Sequence, residues 1–267
     1  MIKGTNSHFK AGAIITGIML LVIVIGMFWT PYDPNQMNGS EKMQGPSFQH
    51  FFGTDNFGRD IFSRVVQGAG ATFLIAAATV AIGLIVGTII GLITGYYGGW
   101  LDEILMRIND SILAFPSILL ALVLIAIFGG GKYNIILALG ILFIPSFARL
   151  VRTEVAKNKN TDYVRNARLM GASDFRILFV HILPNIVPVL LSSVAIGFNN
   201  AVLAEASMSF LGVGVQPPDP SLGRMLNEAQ GYLMSAPWYA ITTGIVIILL
   251  ILGFGLIGEG LGGERNG

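Results

Sequence analysis

Long apolar stretches, separated by shorter polar ones, dominate the pattern of this chain. An α-helix needs about 20 apolar residues to cross the hydrocarbon core of a bilayer. The fourth stretch is short by that measure, but the pattern as a whole predicts an all-α integral membrane protein with about six transmembrane helices. The stretches cover residues 11–29, 71–97, 111–128, 134–148, 185–204 and 238–257.

Composition agrees with the pattern. The chain has 53% hydrophobic residues and a mean hydropathy of +0.70, and only 12% of its residues are charged, about half the share in soluble domains. Cysteine is absent, which excludes disulfides, cysteine-ligated zinc and a thiol nucleophile. The three histidines, His8, His50 and His181, lie far apart and show no metal-binding spacing. We therefore predict no bound metal.

The distribution of Lys and Arg predicts the orientation. With six spans, both termini and the loops around 98–110 and 149–184 lie on one side. That side holds eleven of the sixteen Lys and Arg residues, and the other holds five. Because positive residues collect in cytoplasmic loops, both termini are predicted to be cytoplasmic. The first span is interpreted as a retained anchor, with a cleaved signal peptide as the alternative.

These boundaries divide the chain into four parts. Residues 1–30 form a cytoplasmic tail and the first span, and residues 31–70 form an external loop. In that loop Thr54 or Asp55 is predicted to cap a short helix. Residues 71–258 form a five-helix core that includes the cytoplasmic loop 149–184, and residues 259–267 form a second cytoplasmic tail.

The second span carries glycine at every fourth position, and this spacing places four glycines on one helix face. Such a smooth stripe allows another helix to approach closely, which favours a packing role over the alternative of substrate contact. The stripe comprises Gly83, Gly87, Gly91 and Gly95.

Near the external end of the fifth span, Glu205 is a candidate residue of a translocation pathway, together with Ser207 and Ser209. Ionisable residues within a span usually face a cavity or a partner. The alternative is a carboxylate at a helix end that reaches water.

No catalytic constellation is recognisable in the sequence. The stretch "GGGK" at 129–132 resembles a phosphate-binding loop, but Ala126 replaces the leading glycine and Tyr133 replaces the final Ser or Thr. The H-E-x-x-H and G-x-S-x-G motifs are also absent. We predict that the chain is not an enzyme and binds no cofactor itself.

The charged stretch "TDYVRNARLMGASDFRILFVHILPN" interrupts the apolar pattern at 161–185. Thr161 or Asp162 can cap a first helix, and Gly171 can end it in a left-handed conformation. Ser173 or Asp174 can then cap a second helix, which Pro184 perturbs. From 149 to 181 there are seven basic and three acidic residues, a balance of +4. Three interpretations of the stretch remain open: a loop that only sets topology, a DNA-binding helix-turn-helix, and a docking element. The helix-turn-helix interpretation lacks a third helix to build a core.

This stretch resembles the EAA loop of permease subunits of binding-protein-dependent ABC importers. The blocks "FGTDNFGRDIFSRVVQGA", "INDSILAFPSILLAL" and "LAEASMSFLGVGVQPPDPSLGRML" resemble the C-type subunit of dipeptide, oligopeptide and nickel permeases. Arg165 stands at the position of the motif's glutamate and Asn166 at that of its second alanine. The resemblance implies the type I importer permease fold. It also implies a docking element for an ATPase, formed by Tyr163, Arg165, Asn166, Ala167, Arg168, Gly171, Ala172, Ser173 and Asp174.

The same resemblance implies the partners. A homologous permease subunit would complete a heterodimer, two cytoplasmic ABC ATPases would use ATP and Mg, and an extracytoplasmic binding protein would deliver substrate. The setting would be the lipid of a bacterial cell membrane, and nucleic acid is not a partner. Di- and oligopeptides are the expected substrates, with nickel or a metal chelate as an alternative. A membrane scaffold that recruits a non-transport partner is the alternative of another class.

Overall fold

The computed structural model describes residues 7–263 and contains no β-strand within them; Thr54 and Asp60 form an isolated bridge. Short 3₁₀ turns lie at Gly39–Glu41 and Gln230–Tyr232, and a π-helical segment spans Ile177–Ile182. The α-helices are α1 Ser7–Phe28, α2 Ile61–Tyr97, α3 Gly99–Leu113, α4 Ser117–Phe128, α5 Lys132–Asn158, α6 Asp162–Leu169, α7 Asp174–Arg176, α8 Leu183–Phe210, α9 Leu222–Ala229 and α10 Pro237–Gly263.

Five continuous helical stretches of this fold are long and apolar enough to cross a membrane. Helices α3 and α4 are separated by a short break before Ser117, where the chain bends by 93°. If this bent pair is counted as one span, the total is six. The six predicted spans correspond to these elements in order. The end of the bundle that holds residues 29–60 and 211–236 is called the external end here, and the opposite end the cytoplasmic end, after the predicted orientation.

The predicted short helix of the external loop is instead the beginning of α2. Asp60, rather than Thr54 or Asp55, caps this helix, because its carboxylate accepts a hydrogen bond of 2.8 Å from the backbone N–H of Ser63. From there α2 continues without interruption for 37 residues. Asp55 instead accepts a 2.6 Å bond from the guanidinium of Arg59. The helix predicted within the external loop is therefore continuous with the second span.

Helix α2 packs closely along α5. A Cβ atom added at any of the four glycines Gly83, Gly87, Gly91 and Gly95 would lie 2.6–2.7 Å from an atom of α5. These positions face Phe143, Phe147, Val151 and the carbonyl of Arg152 on α5 in turn. The glycine spacing thus corresponds to one continuous helix–helix contact.

A buried ionic cluster fixes the external loop to α2, α9 and α10. The guanidinium groups of Arg59 and Arg64, both almost inaccessible to solvent, lie 3.0 and 3.3 Å from the carboxylate of Glu228. The hydroxyl of Tyr239 donates a 2.9 Å hydrogen bond to the same carboxylate. Buried charges require such pairing, so the cluster holds the external end in one arrangement.

Candidate functional site

The charged stretch forms a helical corner at the cytoplasmic end. Gly171 has φ +81°, the left-handed conformation predicted from the sequence. The N–H of Ala172 bonds to the carbonyl of Ala167, and the N–H of Gly171 bonds to the carbonyl of Arg168, both at 3.0 Å. This is the Schellman arrangement that ends a helix. We call residues 159–176, which contain α6, the corner and α7, the coupling loop.

The second arm of the corner leads directly into the membrane. The hydroxyl of Ser173 accepts a hydrogen bond from the N–H of Arg176, which makes Ser173 the cap of α7. The helix then passes through the π-helical segment into α8, and residues 174–210 form one continuous helical stretch. Pro184 lies just after the π-helical segment, so the perturbation predicted there is a local irregularity and the helix continues past the proline.

Tyr96, in the last turn of α2, joins both arms of the corner. Its hydroxyl accepts a 3.0 Å hydrogen bond from the guanidinium of Arg168 and donates one of 2.6 Å to the carboxylate of Asp174. The first of these bonds raises the pKa of Arg168 above its usual value. Beneath the polar contacts, Val164 and Ile177 are fully buried. The coupling loop is therefore attached to α2 as well as to α5 and α8, its neighbours along the chain.

The outer surface of the coupling loop combines charge with exposed apolar side chains. Sequence reasoning missed the apolar part, in which Leu169, Met170 and Phe175 are 85%, 89% and 70% exposed. The available signal was the presence of large apolar residues at a polar helix end. Among the predicted docking residues, Ala167 and Ala172 are half-buried, and the others are exposed, namely Tyr163, Arg165, Asn166, Arg168, Gly171, Ser173 and Asp174.

A cavity of about 590 Å³ lies halfway along the bundle, between the α3–α4 bend, α5 and α8. Its lining carries no charged side chain. Most of the wall is apolar, and five polar side chains interrupt it. These are Ser117, Ser146, Ser193, Asn200 and Ser207.

Of the three predicted pathway residues, only Ser207 lines this cavity. Glu205 and Ser209 are fully buried on another face of α8. The carboxylate of Glu205 accepts hydrogen bonds of 2.8 Å from Thr72 and 2.6 Å from Ser209. The hydroxyl groups of Thr72 and Ser209 in turn accept hydrogen bonds from the backbone N–H groups of Leu222 and Val215, at 3.2 and 3.1 Å.

The pathway prediction for Glu205 and Ser209 therefore needs correction. Residues four apart share a helix face, whereas Ser207, two positions from each, points elsewhere. Together with Thr72, the two residues clamp the segment 211–222 onto α2 and α8 at the external end.

Comparison with known proteins identifies the fold and the family. The family described as "Binding-protein-dependent transport system inner membrane component" matches residues 87–261, a range that includes the coupling loop and the whole lining of the cavity. The chain belongs to this family. It is thus a membrane-spanning permease subunit of an ABC importer.

Two curated permeases are similar over nearly the whole chain. The dipeptide transport system permease protein DppC of Alkalihalophilus pseudofirmus is 42% identical over 256 residues, which cover 96% of this permease and 84% of that protein. The glutathione transport system permease protein GsiD of Escherichia coli is 43% identical over 258 residues, which cover 96% and 85%. These relatives are themselves transport permease proteins.

Solved structures of the MetNI methionine ABC transporter in inward-facing conformations share the fold. One has a TM-score of 0.63 at 21% identity and covers 74% of this permease and 94% of that chain. A second crystal form has a TM-score of 0.59 at 20% identity and covers 74% and 96%. This similarity supports the ABC importer permease fold that the sequence blocks implied.

Proposed function

We propose that this permease forms half of the translocation pathway for di- and oligopeptides. The observation that carries the proposal is the 42–43% identity, over 96% of the chain, to permeases named for a dipeptide and for glutathione, both small peptides. The lining of the 590 Å³ cavity, called the membrane cavity below, is compatible with a peptide substrate. Hydroxyl and amide groups suit peptide backbone groups, and a wall without charges does not retain a ligand strongly.

A second, homologous subunit completes this pathway. Large apolar side chains on the rim of the membrane cavity point out of the subunit, among them Ile118, Ile196 and Leu203, each about half exposed. A single subunit therefore supplies only part of the wall. A heterodimer that places two such faces against each other encloses the substrate between them.

The coupling loop carries the contact with the energy source. It presents the exposed apolar side chains Leu169, Met170 and Phe175 amid polar ones, a combination typical of an anchor that enters a groove of a soluble partner. We assign that partner as a cytoplasmic ABC ATPase, one for each permease subunit. ATP and Mg bind to the ATPases, and an extracytoplasmic binding protein delivers the peptide at the external end.

Transport by the reconstituted complex tests this proposal. The permease, its homologous partner, both ATPases and the binding protein are placed in liposomes, and uptake of a radiolabelled dipeptide is compared with uptake of ⁶³Ni²⁺. We expect dipeptide uptake that requires ATP, and no nickel uptake. Nickel uptake without dipeptide uptake would contradict the substrate, and absence of both would contradict the transport assignment.

The membrane cavity can be tested in the same system. The chain has no cysteine, so a single cysteine at Ser207 can be alkylated selectively with a bulky charged maleimide when the partner proteins also lack cysteine. We expect alkylation there to block dipeptide uptake. Ile248→Cys is the control, because Ile248 is 62% exposed on α10, outside the cavity lining. Unchanged uptake after complete modification of position 207 would contradict the assignment of the cavity.

A further inference from the structure

A groove separate from the membrane cavity lies near the external end of the bundle, where α1 crosses α2. The two helices come close there because both carry glycine. A Cβ atom added at Gly26 would clash with Val66, and one added at Gly70 would lie 3.5 Å from a side-chain atom of α1. The start of α5 and the segment 211–222 complete the wall around a volume of about 320 Å³. No lining residue is shared with the membrane cavity, and we call this site the external groove.

The external groove carries one positive and one negative side chain. Lys132 is the first residue of α5, Asp219 belongs to the segment 211–222, and both line the groove. Neither side chain takes part in a hydrogen bond or an ion pair among the described residues. Apart from Gln67, the other lining residues are apolar. The groove therefore suits a ligand that combines an anionic group, a cationic group and an apolar part.

The groove opens on the lipid-facing surface of α2. Leu74 lines it and is 44% exposed, and Ile85 and Ile89 share the same helix face with exposures of 60% and 50%. The face assigned to the second permease subunit lies elsewhere, on α4 and α8 around Ile118 and Leu203. The mouth of the groove therefore meets lipid, which favours a lipid over a dissolved peptide as its occupant.

The order of these groups along the bundle matches the order of groups in a phospholipid. Leu74 lies within a span, Lys132 is the end residue of a span, and Asp219 lies beyond the spans. A phospholipid has its acyl chains in the hydrocarbon core, then a phosphate, then the rest of the head group. Lysine at the end of a span reaches the membrane interface, where its ammonium group can bind phosphate. The carboxylate of Asp219 then suits a cationic head group that donates N–H groups.

We propose that the external groove binds a phosphatidylethanolamine molecule of the surrounding membrane, with its phosphate at Lys132 and its ammonium group at Asp219. A primary ammonium group donates charge-assisted hydrogen bonds to a carboxylate. Phosphatidylcholine carries the same two charges, but its quaternary ammonium group has no N–H to donate. The groove therefore distinguishes two lipids of equal net charge.

Lipid binding to the purified full-length permease tests the inference. Palmitoyl-oleoyl phosphatidylethanolamine and the corresponding phosphatidylcholine are titrated into delipidated protein in detergent, and native mass spectrometry measures the bound lipid. We expect the wild type to bind the ethanolamine lipid about fivefold more tightly, the upper range for a partly exposed charged contact. Equal affinities for the two lipids would overturn the inference.

Charge variants separate the two contacts. Lys132→Ala removes the contact to the phosphate that both lipids share, so we expect both affinities to fall about fivefold with an unchanged ratio. Asp219→Ala is expected to lower the affinity for the ethanolamine lipid to that for the choline lipid. Lys42→Ala is the matched control, because Lys42 is an exposed lysine at the external end that does not line the groove. Wild-type affinities in either groove variant, or an equal loss in Lys42→Ala, would overturn the inference.

A variant that fills the groove tests it without altering a charge. We expect Leu74→Trp to abolish the preference for the ethanolamine lipid, and this variant keeps the test decisive if a charge variant folds poorly. A dipeptide also carries an ammonium and a carboxylate group, and we expect a large excess of it not to displace the lipid. A retained preference in Leu74→Trp would overturn the inference. Displacement by the dipeptide would also overturn it and would indicate a peptide site.

Discussion

Glu205 shows what a single buried carboxylate does when its partners are hydroxyl groups. Its carboxylate accepts hydrogen bonds from the hydroxyl groups of Thr72 and Ser209. These hydroxyl groups in turn accept hydrogen bonds from backbone N–H groups of the segment that follows α8. Removal of this carboxylate leaves two buried hydroxyl groups without their acceptor. The cost of such unsatisfied groups is about 1–3 kcal/mol each.

We therefore expect Glu205→Ala to lower the stability of the permease. Ser207→Ala is the matched control, since Ser207 lies two residues further along the same helix and faces the membrane cavity. Thermal unfolding of both variants in detergent measures the effect. A melting temperature for Glu205→Ala equal to that of Ser207→Ala would contradict the clamp.

The sequence located this residue but not its role. A carboxylate near the end of an apolar stretch is visible in the sequence, and its position in the fifth span was correctly predicted. Its partner Thr72 lies 133 residues earlier, and no local pattern joins the two. The buried cluster of Arg59, Arg64 and Glu228 escaped prediction for the same reason.

At the scale of helices, local patterns were more informative. The glycines of α2 recur at the helical period, so the sequence alone showed that they share a face. Gly171 was recognisable as a corner because capping residues lie within a few positions of it. The apolar stretch begins at residue 71, whereas α2 begins at Ile61. The start of α2 was therefore misplaced by ten residues, because its polar first turns lie outside the apolar stretch.

The α2–α5 contact gives a prediction for Gly91. We expect Gly91→Leu to prevent close packing, because even its Cβ would lie 2.6 Å from atoms of Ala148 and Val151. Overpacking typically costs about 1–3 kcal/mol, which should appear as a reduced yield of assembled permease by size-exclusion chromatography. Gly17→Leu in α1 is the control, because a Cβ at Gly17 has no neighbour within 4 Å. Equal yields of the two variants would exclude the packing role.

The Gly171 corner can be tested without altering a contact, since an added Cβ there also meets nothing within 4 Å. A β-branched residue in the left-handed conformation costs about 1–2 kcal/mol, whereas asparagine tolerates it. We expect Gly171→Val to insert normally but to reduce substrate-stimulated ATP hydrolysis severalfold, and Gly171→Asn to stay close to wild type. Full stimulation in the valine variant would show that the corner geometry is unimportant for coupling.

For the whole molecule, function follows from the arrangement of three regions. The external end is fixed by the buried cluster and the Glu205 clamp, the membrane cavity lies midway, and the coupling loop projects at the opposite end. In the proposed mechanism, ATP hydrolysis by a partner at the coupling loop changes the wall of the cavity in the membrane. We propose that the coupling loop, and not the external end, receives the ATPase.

Site-specific photocrosslinking at both ends of the permease can decide which end contacts the ATPase. Met170 in the coupling loop is 89% exposed and Met234 at the external end is 100% exposed, so each can be replaced by benzoylphenylalanine with little effect on the fold. In the assembled complex we expect position 170 to crosslink to the ATPase and position 234 not to do so. A crosslink to the ATPase from position 234, or none from position 170 in a complex that retains ATP-driven uptake, would contradict the account.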